Sequence, residues 1–172
     1  MARSVQIFAY CERGLDPSFW AEPLNAITNL AFLIAAMLGA VALLRLPPGQ
    51  RGGLETACVA LAAAIGVGSF LFHTLATRWA ALADVIPIGM FMLAYLILAA
   101  RRFLGLSAAG VAASVVAFVA ALALAGQPLC GGRPCLNGSA GYLPASGALA
   151  VIGALLLRRG HPAARALLAG AA

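Results

Sequence analysis

Polar and apolar positions in this chain alternate in long blocks. Apolar runs extend from about Leu24 to Leu46, Leu54 to Ala76, Ala80 to Ala100, Leu104 to Ala125 and Ala140 to Leu157. Each is close to the roughly 20 residues that a helix needs to cross about 30 Å of hydrocarbon. Most breaks between them are short, as at Pro47-Pro48-Gly49, Arg101-Arg102 and Arg158-Arg159, and a longer loop, Gly126–Gly138, precedes the fifth run. Pro23 suits the first turn of the first helix. A sixth run, Ala163–Ala172, is interrupted only by Arg165. Ten residues make about 15 Å of helix, half a membrane. It reads as a sixth helix cut short, in preference to a short interfacial helix. The pattern therefore predicts an all-α membrane protein, one transmembrane helical domain preceded by a polar and aromatic segment over residues 1–23.

Composition agrees. The 172 residues are 63% hydrophobic and 9% charged, with a mean hydropathy of +1.00. That excludes an ordinary soluble domain. All eleven basic residues are Arg, and with abundant Ala, Gly and Leu this points to a GC-rich, bacterial source. The net charge of +6 is no nucleic-acid signal, because the arginines stand in short loops between apolar runs. Residues 1–20 hold no continuous apolar stretch, so no cleavable signal peptide is expected. Arg45, Arg51, Arg101, Arg102, Arg158, Arg159 and Arg165 fall on one side of the expected helices. Arg3, Arg13, Arg78 and Arg133 fall on the other, diluted by Glu12, Asp16 and Glu22. The positive-inside rule then puts the N-terminus outside a bacterial inner membrane. Cys11, Cys130 and Cys135 share that outer side, where a disulfide is expected without a pairing. Cys58 reads as a small apolar residue within its helix.

Three polar side chains stand out between residues 66 and 87, where lipid-facing residues would be expected. Ser69 and His73 are four apart and share a helix face. Asp84 follows eleven residues after His73, across a turn expected near Arg78. At about 1.5 Å per residue, His73 and Asp84 are then expected at nearly one depth. A hydroxyl, an imidazole and a carboxylate converging in an apolar hairpin suggest a metal or acid/base site. The alternative is a set of packing and capping residues: a hydrogen-bonded histidine, a serine bonded to the preceding turn, an aspartate near a helix start. A membrane-buried Asp costs roughly 2.5–3.5 kcal/mol, which favours function.

Glu12, Asp16 and Glu22 form an acidic cluster in the N-terminal segment. Oxygen ligands on a turning backbone suit Ca²⁺. Asn25 and Asn29 follow Glu22 at i+3 and i+7 on one helix stripe. The competing reading is a solvated loop followed by amide hydrogen bonds between helices.

Four stretches carry a family resemblance: Cys11-Glu12; Ala21-Glu22-Pro23-Leu24-Asn25 with Asn29; Gly68-Ser69 with His73; and Leu82-Ala83-Asp84 with Pro87. In order and spacing they resemble the alkaline ceramidases, seven-helix membrane amidases grouped with the adiponectin-receptor relatives. The resemblance implies a zinc ion with His73 among its ligands, Ser69 and Asp84 acting beside it, and a calcium ion on Glu12, Asp16 and Glu22. It also implies a His-x-x-x-His pair on a seventh helix, which this sequence does not contain. Its other histidine, His161, is expected on the opposite side. These 172 residues are accordingly expected to hold zinc poorly.

The function so expected is hydrolysis of the amide of ceramide or a related N-acyl lipid. The rivals are a non-catalytic membrane protein and a proton-relay or transport protein using Ser69, His73 and Asp84 as a buried polar network. The topology has a direct check. In a cysteine-accessibility map, a probe at 101–102 should be protected from outside reagents and one at residue 14 should react. The reverse pattern would overturn the orientation.

Overall fold

The computed structural model describes residues 6–8, 12–125 and 140–171. The cysteines expected to be oxidised, Cys11, Cys130 and Cys135, lie outside the described residues. The elements are α1 (Pro23–Thr28), α2 (Leu30–Leu44), α3 (Gly53–Leu75), α4 (Arg78–Leu98), α5 (Ala108–Ala125), α6 (Leu143–Arg158) and α7 (Ala164–Ala171). A 3-10 turn, Pro48–Gln50, precedes α3, and a π turn, Ala99–Phe103, follows α4. No strand occurs among the described residues, although Gln6 pairs with Thr77 as an isolated bridge. Counting α1 and α2 as one span, five helices are long and apolar enough to cross a membrane. The chain is an all-helical membrane protein.

Helix boundaries depart from the block pattern where polar side chains bond the backbone. The first span breaks at Asn29. The Thr28 hydroxyl donates to the Leu24 carbonyl at 2.9 Å, and the Asn29 amide donates to the Asn25 carbonyl at 2.8 Å. Both compete with the helical ladder for those acceptors. The fourth span starts at Ala108, not Leu104. Gly105 adopts φ +67 after the π turn, and Ser107 Oγ accepts the Gly110 amide at 3.3 Å. At the end of α6, Gly160 takes φ +68. Its N–H donates to Leu157 O, and that of His161 donates to Leu156 O, the double bond pattern of a glycine-terminated helix.

The chain divides into two compact units, Met1–Ala94 and Tyr95–Ala172. In the second, α6 packs on α7, with Gly153 against Leu168, and Arg159 donates to Leu104 O at 3.1 Å. In the first, α2 packs on α3, with Gly66 against Leu33 and Gly39 against Val59. Helix α3 is the one around which that unit is built. Its membrane-length window is 44% buried, against 22% or less for every other span. Leu24, Leu30, Ile34, Met37, Leu38 and Leu44 are exposed, as befits side chains meeting lipid tails.

Pro87 lies inside α4. Lacking an N–H, it leaves the Ala83 carbonyl without its helical donor. Gly68 of α3 sits against that carbonyl, so close that any Cβ on residue 68 would overlap it. The α3 and α4 backbones thus meet beside Ser69 and Asp84. Gly68→Ala should cost about 1–3 kcal/mol by overpacking. Gly89→Ala in α4, where a Cβ meets open space, should be neutral or gain up to about 1 kcal/mol. Detergent-phase thermal unfolding of the two variants checks the contrast, and equal effects would contradict this helix contact.

Candidate functional site

The site begins at the end of α3. Ala76 leaves the helix at φ 49, the left-handed region that costs a residue with a Cβ roughly 1–2 kcal/mol. Local bonds hold it there. The Ala76 N–H donates to Phe72 O at 2.8 Å, and Ala76 O accepts the Ile7 N–H at 2.6 Å. The last carbonyls of a helix have no partner within it, and here each is met. His73 O and Thr74 O accept Nη2 of Arg13 at 2.7 and 3.3 Å, and Leu75 O accepts the Gln6 amide at 3.3 Å. A guanidinium at a helix C-terminus also complements the helix dipole. Thr77 then caps α4, its Oγ1 accepting the Ala80 N–H at 3.4 Å.

This turn changes the expected register. It falls at Ala76–Thr77, one to two residues before Arg78. Ser69 stands seven residues before Ala76, and Asp84 seven after Thr77, so these two are level. His73 is four residues nearer the turn than Ser69, about 6 Å along the axis. Asp84 is nevertheless within electrostatic reach of both Ser69 and His73. All three are buried, at 6%, 8% and 5% exposure for Ser69, His73 and Asp84. Asp84 Oδ1 has no hydrogen-bond partner among the described residues.

Glu22 has partners that the sequence did not anticipate. It is the N-cap of α1 and only 2% exposed. Its Oε1 accepts Nε of Arg13 at 2.6 Å, and its Oε2 lies 2.6 Å from Nδ1 of His73. An ionised carboxylate only accepts, so Nδ1 carries the proton in this pair. Asn25 Nδ2 adds a 3.4 Å contact to Oε2, so the Glu22–Asn25 part of the expected stripe is present. Phe19 and Trp20 pack edge-on with Phe70 of α3, ring centroids 6.4 and 6.3 Å away. They seat the N-terminal segment on the helix that carries Ser69 and His73.

The three carboxylates expected to share a calcium ion are not brought together. Glu12 accepts the Leu24 and Asn25 amides at 2.8 and 3.2 Å, capping the start of α1. Asp16 accepts the Ser18 amide at 2.8 Å and its hydroxyl at 3.0 Å. Those two bonds hold its carboxyl below the usual carboxylate range. Glu22 faces Arg13 and His73. Nearness in sequence did not translate into convergence, because each acid satisfies a different local donor set. Among the described residues no three His, Cys, Asp or Glu side chains are grouped to hold a metal. These carboxylates do not fit a calcium ion.

For zinc the fit is partial. A histidine that binds zinc normally gives its other ring N–H to a carboxylate, which fixes tautomer and orientation. His73 with Glu22 has that arrangement, so a metal on this ring would take the nitrogen that Glu22 does not hold. Asp84 offers an oxygen. A catalytic zinc normally takes three protein ligands, and the described residues provide one imidazole and one carboxylate here. His161 is otherwise engaged: its Nδ1 accepts the Ala163 N–H at 3.2 Å, and its ring packs on Phe103.

The family model described as Ceramidase matches residues 8–130, a span that contains Arg13, Glu22, Ser69, His73 and Asp84. The chain belongs to the ceramidase family. No curated protein and no solved structure matches it. Ceramidase membership implies amidohydrolase chemistry on a lipid substrate, and the apolar helices imply embedding in a membrane.

Sequence reading missed Arg13. It entered only as one of several charges diluted by acids. Its one signal was its place between Glu12 and Asp16, where a cation has carboxylate neighbours. The burial makes a quantitative prediction. Glu22→Ala strands a buried guanidinium and should cost about 3–5 kcal/mol. Glu12→Ala removes only a helix cap and should cost about 1 kcal/mol. Thermal unfolding in detergent should rank them so, and a Glu12 variant as damaging as the Glu22 variant would contradict these assignments.

Proposed function

We propose that this ceramidase-family protein hydrolyses the amide bond of ceramide or a related N-acyl lipid within the membrane, with zinc as its cofactor. The observation that supports the reading most is the Asp84 carboxyl. It is buried, one oxygen is unpartnered, and it lies beside a serine and a carboxylate-held histidine. A structural network would be expected to satisfy that oxygen, because an unmet buried acceptor costs roughly 1–3 kcal/mol. A site that receives a proton leaves it open.

His73, with Asp84 beside it, would hold the zinc ion, which when bound would supply Lewis acidity at the amide carbonyl and acidify a water. Asp84 accepts the proton of the attacking water and returns it to the departing nitrogen. One water is consumed, the C–N bond breaks, and a fatty acid and a free amine leave. The Ser69 hydroxyl donates to the carbonyl oxygen as it gains charge. Glu22 keeps the His73 ring oriented. With the N-terminus outside, the reaction takes place near the outer face of a bacterial inner membrane, where an amphiphilic lipid presents its headgroup.

The test uses the full gene product in membranes, assayed for fatty-acid release from ceramide and for zinc by elemental analysis. His73→Ala should lose both. Asp84→Asn should keep most of the zinc and lose about 10²–10⁴-fold in turnover, the span of a general acid/base. Ser69→Ala should lose about 10²–10³-fold, as for an oxyanion donor. Full zinc and full activity in His73→Ala would sink the proposal. Proton flux through liposomes without amide release would replace it with a relay.

A further inference from the structure

Arg13 uses its whole hydrogen-bonding capacity. A guanidinium has five N–H donors. Nε donates to Glu22 Oε1 at 2.6 Å. Nη1 donates to the carbonyls of Asp16 at 3.2 Å and Ser18 at 3.0 Å. Nη2 donates to the carbonyls of His73 at 2.7 Å and Thr74 at 3.3 Å. Its side chain is wholly buried. One carboxylate and four backbone carbonyls from three stretches of chain surround it. That is the kind of donor set Ca²⁺ takes, oxygens from carboxylates and main chain on a turning backbone. Meanwhile the acids expected to bind calcium are committed elsewhere, Glu12 to the α1 amides and Asp16 to Ser18.

We infer that the Arg13 guanidinium is a built-in cation standing where a bound divalent ion would otherwise tie the N-terminal segment to the site, and that this protein positions His73 without calcium. The guanidinium holds Glu22 Oε1, and the other oxygen of the same carboxylate holds His73 Nδ1. It also pins the carbonyl of His73 itself. Backbone and ring of one residue are thus fixed by one cation, the ring through Glu22 and the backbone directly. Arg13 is a positioning residue, since it acts on His73 and does not touch the reacting atoms. The planar fork matters, because an ammonium has three donors and cannot span the carboxylate and both pairs of carbonyls. The clamp stands on geometry alone, whereas its effect on zinc rests on the proposed function.

The full chain in detergent tests it. The unmodified protein should melt at the same temperature in calcium and in chelator. Stabilisation by calcium would overturn the inference, and this comparison requires no variant to fold. Arg13→Ala should melt lower and recover in millimolar guanidinium but not in millimolar urea, which has a similar shape without the charge. Melting unchanged from the parent, or recovery by urea to the same extent, would overturn it. Arg13→Lys should melt between the two, and a lysine variant equal to the parent would show that the fork is dispensable and overturn it. Nitrogen-15 spectra should show His73 as the Nδ1–H form in the parent and as a mixture in Arg13→Ala, returning to one form with guanidinium. A ring unaffected by the loss of Arg13 would refute the positioning role. In the full gene product, Arg13→Ala should bind zinc about 10–100-fold more weakly. A parent that binds no zinc would remove the catalytic reading and leave the melting and tautomer results to judge the clamp separately.

Discussion

The site depends on one buried ion pair. Glu22 and Arg13 meet at 2.6 Å with almost no solvent exposure. Removing two charges from water costs several kcal/mol per ion, and their attraction repays that only when the other donors and acceptors are also met. Here they are. Arg13 spends its remaining donors on four carbonyls, and Glu22 spends its second oxygen on His73. Such a pair contributes less to net stability than to uniqueness of arrangement. The N-terminal segment has one position on α3 in which all these groups are satisfied, and in that position the His73 ring has one orientation.

The second constraint is the turn between α3 and α4. A left-handed alanine is unfavourable in isolation, and a glycine would relieve it. The chain keeps Ala76 there because Ile7, Gln6 and Arg13 together bond the carbonyls that the helix leaves open. The turn's position then sets which residues of the two helices are level. It makes Ser69 and Asp84 neighbours, and the approach of Gly68 to the Ala83 carbonyl keeps them so. Pro87 contributes from four residues away by exposing that carbonyl. The catalytic candidates are thus placed by backbone features that carry no chemistry themselves.

Much of this was legible in the sequence. The apolar blocks were long enough that helix number and type followed from length and composition alone. Ser69, His73 and Asp84 stood out because a polar group in an apolar block is costly. The level of each residue was less legible, since moving the turn by two residues changes which residues are level by four, about 6 Å along the axis. The helix starts at Ala108 and Leu143 were obscured because apolar residues continue through the loops before them. The partner of each acid was not legible at all. Glu12, Asp16 and Glu22 are chemically alike and close in sequence, yet one caps a helix, one closes its own turn and one is buried on a histidine. The Arg13 and His73 contacts, together with the packing of Phe19 and Trp20 on Phe70, carry Glu22 rather than Glu12 or Asp16 under the surface.

These features divide the polar groups of the site into two kinds. Glu22, Arg13 and Asn25 are matched to partners and gain nothing from a ligand. Asp84 Oδ1 is not matched, and it sits in the hairpin whose neighbours are most firmly held. A rigid frame with one unsatisfied acceptor suits a reaction in which a proton must be taken from water and handed on, because the frame does not need to reorganise when the proton arrives. In a hydrocarbon environment the unmet oxygen is also the strongest local attraction for a polar group brought in by a lipid. An amide between two apolar chains is such a group. The same desolvation that makes Asp84 costly therefore draws the scissile bond toward it, and links the membrane setting of the protein to the chemistry proposed for it.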